Sequence, residues 1–139
     1  MPMTNPKESL LPDDFMQARY DVLESALLRL ETVCDRNAIR HAANRLWSIL
    51  EQHYAAEQEP SSIVTGIQEI AVHRQADILR LRQEHEEILD LITNLIQSDA
   101  SDALLRAQAL KLAGRVREHE AQEAQAYFDG LYTDLGGLG

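Results

Sequence analysis

The chain has 139 residues, enough for one domain with a single buried core. Apolar residues make up 45% of it and aromatics only 5%, with four prolines and six glycines, so strong helix formers prevail and little is left to punctuate a β-rich fold. A formal net charge of -10 and an isoelectric point of about 4.8 exclude broad binding to nucleic-acid phosphate or to an anionic membrane surface.

Residues 1–12 read as a flexible leader, interrupted by Pro2, Pro6 and Pro12. The run Pro12-Asp13-Asp14 is a helix start, because proline is tolerated in the first turn and acids suit the positive end of the helix. A first helix is expected from there to about Cys34, with Asp35-Arg36-Asn37 as the turn. A second is expected over roughly 37–58, stopped by Glu59-Pro60-Ser61-Ser62. A short helical or irregular stretch covers 63–72. A third helix spans roughly 73–97, Ser98-Asp99-Ala100-Ser101 supplies a turn with capping residues, and a fourth spans roughly 102–131. Residues 132–139 form a flexible glycine-rich tail.

Each helix carries an apolar seam at alternating three- and four-residue spacing. The seams run Met16, Arg19, Leu23, Ala26, Leu30, Val33; Ile39, Ala43, Leu46, Leu50, His53, Glu57; Ile78, Leu81, His85, Ile88, Ile92, Leu95; and Leu105, Ala109, Leu112, Val116, His119, Glu123, Ala126. Four long amphipathic helices on short turns imply an all-α, up-down-up-down four-helix bundle over residues 13–131.

Three histidines fall on these seams, and His53 and His119 are each followed four residues later by a glutamate on the same face. A carboxylate in a core is costly unless something compensates it. An offset of 66 residues maps His53 onto His119 and Glu57 onto Glu123, and it also maps Leu46 onto Leu112 and Arg19 onto His85. The first two helices thus read as a diverged copy of the last two. A pseudo-twofold bundle brings His53, Glu57, His85, His119 and Glu123 to one level. Imidazole and carboxylate donors without cysteine favour iron or manganese over a structural zinc, with zinc still open. His41 and His73 lie about 18 Å along the helix from His53 and His85, too far to share a site. Glu84, Glu86 and Glu87 read as a solvated face, Glu120 as exposed, with a swing toward the metal from its place beside His119 as the alternative, Trp47 and Tyr127 as packing beside the seam, and Cys34 as a buried small side chain. The sequence contains no Glu-x-x-His pair of the ferritin-like kind, no Gly-rich phosphate loop and no nucleophile-base-acid set.

The segments LWSILEQHYAAEQEP, LRQEHEEILDLI and VREHEAQEAQAYF resemble the hemerythrin-like, or HHE cation-binding, domains, over about residues 13–131. That resemblance implies a four-helix bundle around a non-haem di-iron centre. Its pattern is a histidine on the first helix, His-x-x-x-Glu on the second, a histidine on the third and His-x-x-x-Glu on the fourth. It implies that Glu57 and Glu123 bridge two metals, that His85 and His119 bind one of them, and that His53 binds the other. The first element departs, since Arg19 stands where a histidine is expected and arginine is not a metal ligand. The alternatives are a phenolate from Tyr20, a carboxylate from Glu24, an open position on one metal, a single metal at His85 and His119, or a site without metal in which Arg19 pairs with a glutamate.

The resemblance further implies a binding or sensing protein rather than an enzyme, taking dioxygen, nitric oxide or another oxidant in sensing, carriage, or iron and redox stress handling. A metal-free helical interaction module is the alternative. A homodimer is a further expectation. The tail has a weak likeness to peptides that load cargo into encapsulin shells, and an ordinary frayed tail is the reading preferred. The chain is expected to be cytoplasmic: Cys34 is the only cysteine, no signal peptide is visible, and no apolar run approaches membrane-spanning length.

Overall fold

The described residues form four helices: α1 (Pro12–Thr32), α2 (Arg36–Glu57), α3 (Gln75–Gln97) and α4 (Asp102–Phe128). The computed structural model describes residues 12–57 and 75–128, the side chains of 12–16 and 127 excepted. The expected leader, the stretch at 63–72, His73 and the glycine-rich tail lie outside the described residues, as do the side chains of Met16 and Tyr127. Among the described residues there is no strand, and no helix is long and apolar enough to cross a membrane.

Two of the helix starts are capped as their sequences require. The Asp35 carboxylate accepts the Ala38 N–H at 2.9 Å, and the Ser101 hydroxyl accepts the Leu104 N–H at 3.2 Å. Each satisfies an N–H that lacks a partner within its helix, a contribution of about 1 kcal/mol. Arginines then close this end of the bundle. Arg106 donates to the Val33 carbonyl at 2.8 Å and Arg40 to the Ser98 carbonyl at 2.8 Å. Arg36 donates to the Ala100 carbonyl and pairs with Asp102.

The seams bury along most of their length, with Arg19, His53 and Ala126 only half-buried. Leu23, Leu27 and Leu30 of α1 meet Ile39, Leu46 and Leu50 of α2, Ile88, Ile92 and Leu95 of α3, and Leu105, Leu112 and Val116 of α4 in one core, making an all-α four-helix bundle. Each such leucine or isoleucine contributes about 1.5–3 kcal/mol by leaving water. Cys34 departs from expectation: it is exposed at the α1–α2 turn, because α1 stops at Thr32 and its apolar face ends with Val33. Trp47 is partly buried against the core, and His41 is exposed.

Candidate metal centre

At the end of the bundle away from the arginine clamps, the seams carry Glu57, His85, His119 and Glu123, all buried, with His53 half-buried beside them. The helices place them by register alone. His53 and Glu57 sit one turn apart at the end of α2, His119 and Glu123 one turn apart late in α4, and His85 on α3 faces both pairs. The five residues expected to converge do converge.

Their donor atoms form two groups, His85/His119/Glu123 and His53/Glu57/Glu123, each with its atoms mutually within 4.8 Å. Glu123 serves both. Its Oε2 lies 2.9 Å from His85 Nε2 and 3.1 Å from His119 Nε2, while its Oε1 lies 3.6 Å from His53 Nε2. Glu57 spans the same gap, with Oε1 at 2.8 Å from His53 Nε2 and Oε2 at 3.4 Å from His85 Nε2. Both carboxylates therefore turn one oxygen to each half. Metal bonds of about 2.1 Å put neighbouring ligand atoms about 3.0–3.5 Å apart, close to these separations.

Three further residues complete the surroundings, and each corrects or extends the expectation from sequence. Glu120 is not exposed: its carboxylate is largely buried and brings Oε2 to 3.6 Å from His53 Nε2. Glu84 is not simply part of a solvated face, although Glu86 and Glu87 are exposed: it accepts from His119 Nδ1 at 2.9 Å, and Arg115 and Arg80 flank it. Tyr54, unremarked in the sequence, is buried and stacks on the His85 ring at 3.7 Å with the planes 2° from parallel. Tyr54 and Glu120 follow from a seam about two residues wide per turn. Leu50, Tyr54, Glu57 and Val116, Glu120, Glu123 are i, i+4, i+7 rows.

The first-helix position is settled against two of its alternatives. Tyr20 is 51% exposed, so no phenolate reaches the centre. Glu24 pairs with Arg117 of α4. Arg19 donates from one guanidinium nitrogen to His53 Nδ1 at 2.7 Å and to the His53 carbonyl at 2.8 Å.

The electrostatics are those of a site short of positive charge. Burial, reinforced by Glu123, pushes Glu57 up to about 8, and burial with the Glu123 charge pushes Glu120 up to about 7. Burial opposes ionising Glu123 as well, but hydrogen bonds from Glu57, His119 and His85, with the His53 ring nearby, hold it well below the usual carboxylate range. Burial lowers His85. For His119, burial is outweighed by Glu123 and Glu84, and the ring is raised. At His53, burial is likewise outweighed by Glu123 and Glu57, which favour a doubly protonated ring and push it up to about 10. That ring and the Arg19 bond exclude each other, because a guanidinium only donates; at 2.7 Å the bond requires a bare Nδ1 and decides for the neutral ring.

Several buried atoms have no aligned hydrogen-bond partner: Nε2 of His53, Nδ1 of His85, Oε1 of Glu120 and the Tyr54 hydroxyl. His53 Nε2 is ringed by three carboxylates, yet even the Glu57 oxygen at 2.8 Å lies off its axis. Buried polar atoms are normally paired, and four of the seven exceptions among the described residues lie around the shared carboxylates, which fits a cation between them. Compared with family models, with curated proteins and with solved structures, the chain gives no match.

Proposed function

We propose that this chain is a hemerythrin-like non-haem iron protein that binds a small diatomic ligand, dioxygen or nitric oxide, for sensing, carriage, or redox and iron stress handling. The observation that carries the reading is the shared pair of carboxylates, Glu57 and Glu123, each offering one oxygen to the His53 half and one to the His85 half. A structural ion pair needs no such sharing; a centre for one or two metal ions does. His85, His119, Glu123 and Glu57 would hold one ion, and His53 with the remaining carboxylate oxygens a second. Bound iron would supply a coordination position for the diatomic ligand and electrons to share with it. The chain's own part is to hold imidazoles and carboxylates in place, keep water from the core side through the Tyr54 and Leu50 side chains, and fix the His119 ring through Glu84. Manganese and zinc fit the same donors.

Anaerobic loading with ferrous iron, followed by elemental analysis, tests this. The expected result is one to two irons per chain, lost in His119→Ala. A near-ultraviolet band on admitting air is the further sign of an oxo-bridged pair. The absence of bound metal would refute the reading. It would favour instead a metal-free helical interaction module, which the Arg19–His53 hydrogen bond supports as the second reading.

A further inference from the structure

The two halves of the centre are held from behind by groups of opposite polarity. Behind His119, the Glu84 carboxylate accepts the Nδ1 proton at 2.9 Å. When the Nε2 proton leaves, His119 is a neutral imidazole with its lone pair turned to Glu123, the arrangement that orients a metal-binding histidine. Behind His53 stands Arg19, which can only donate, at 2.7 Å from Nδ1. The His53 proton is therefore on Nε2, the nitrogen that faces the carboxylates. Removing it with Arg19 in place leaves an anionic ring. Removing it at ordinary cost requires Arg19 to withdraw so that Nδ1 can take a proton. At His85, Nδ1 faces no donor that would oppose a proton there.

Charge points the same way. Once a cation has displaced their protons, Glu57, Glu120 and Glu123 bring three negative charges to the cluster, and Arg19, on His53, brings one permanent positive charge. One divalent cation balances the set. A second adds an excess that only a further anion could offset, and it binds on the side where the guanidinium already stands.

We infer that Arg19 makes the halves unequal: the His85/His119 half takes the first divalent cation, and the His53 half takes a second only when Arg19 gives up Nδ1 of His53. Arg19 is then a positioning residue that sets the order and number of ions without touching them. This inference rests on the metal-binding reading above.

The test is equilibrium loading of the full chain with ferrous iron under anaerobic conditions against a competing chelator, in the native chain and in Arg19→Gln. Glutamine removes the charge and offers a carbonyl that can accept an Nδ1 proton. The native chain is expected to bind one ion tightly and a second more weakly by at least about tenfold, the scale on which such supporting partners act. In Arg19→Gln the second step should strengthen by about 10–100-fold while the first stays within about threefold. Two equal steps in the native chain, or an unchanged second step in the variant, would overturn the inference and leave the metal-binding reading standing. No metal at all in the native chain overturns both. The metal-free native chain gives a check that needs no variant: nitrogen-15 NMR of the imidazoles should show His53 protonated on Nε2 and bare on Nδ1, and an Nδ1-protonated His53 would refute the role given to Arg19.

Discussion

Replacing Glu84 by alanine removes the acceptor behind His119 and leaves every ligand atom in place. Glu84 Oε1 lies 2.9 Å from His119 Nδ1, and its other oxygen is 3.5 Å from Arg115. His119 is completely buried, so water cannot replace the lost acceptor from the core side. Groups in this supporting position commonly set metal affinity by about 10–100-fold, which corresponds to about 1.4–2.7 kcal/mol. The expected result for Glu84→Ala is therefore a first-step ferrous affinity weakened by that factor. Glu84→Gln keeps an acceptor oxygen and loses only the charge, so its loss should be several-fold smaller. Competition against a chelator under anaerobic conditions measures both, with circular dichroism to confirm the helical content. If Glu84→Ala binds as tightly as the native chain, the hydrogen bond to Nδ1 does not prepare His119, and the contrast drawn between Glu84 and Arg19 fails with it.

Glu123→Gln should be the most damaging isosteric change at the centre, since one residue faces both halves; metal content after loading is expected to fall at both, and retention of one full equivalent would show that Glu57 alone suffices. Tyr54→Phe removes a buried hydroxyl that has no hydrogen-bond partner and keeps the ring stacked on His85. Its stability should be unchanged or higher by up to about 1 kcal/mol in urea unfolding, with metal content unaltered; a clear loss of metal would give the hydroxyl a part in binding. The metal-free chain should lose stability as pH rises from 5 to 8. Glu57 and Glu120, raised to about 8 and about 7, hold protons in the fold that the unfolded chain has already released above about 4.5, so their contribution fades as pH passes those values. Iron replaces those protons, so loaded protein should show no such decline; an unfolding midpoint of the metal-free chain that climbs from pH 5 to 8 would contradict the assignment.

Most of the bundle was legible because its signals are local and periodic. The α3 seam from Ile78 to Leu95 is buried at every position that the three- and four-residue spacing names. The five converging residues were legible for the same reason, with the 66-residue offset adding His85 to two evident pairs. What failed was the width of the seam. A single row per helix passes over Tyr54 and Glu120, which lie one step to its side and are buried or nearly so. Glu84 was hidden by a different cause: its partner His119 is 35 residues away, and nothing in the EHEE run distinguishes the glutamate that turns toward α4 from its two exposed neighbours. The role of Arg19 needed a distance. The sequence placed it opposite the site, but only the 2.7 Å approach to Nδ1 tells which proton it governs.

The arginine clamps at the α1–α2 and α3–α4 turns give the bundle an order in which to come apart. Arg36, Arg40 and Arg106 tie helix ends to one another across that end, next to aliphatic side chains that are almost fully buried. The opposite end has carboxylates and imidazoles in place of leucines. In amide hydrogen exchange the segment around Ile88–Leu95 should open only with the whole molecule, while the first turns of α3 and the last turn of α2 open on their own. A bound ion would add a further tie between helices at the end opposite these clamps, so slowed exchange confined to that end would report its arrival even where the ion has no colour or magnetic signal.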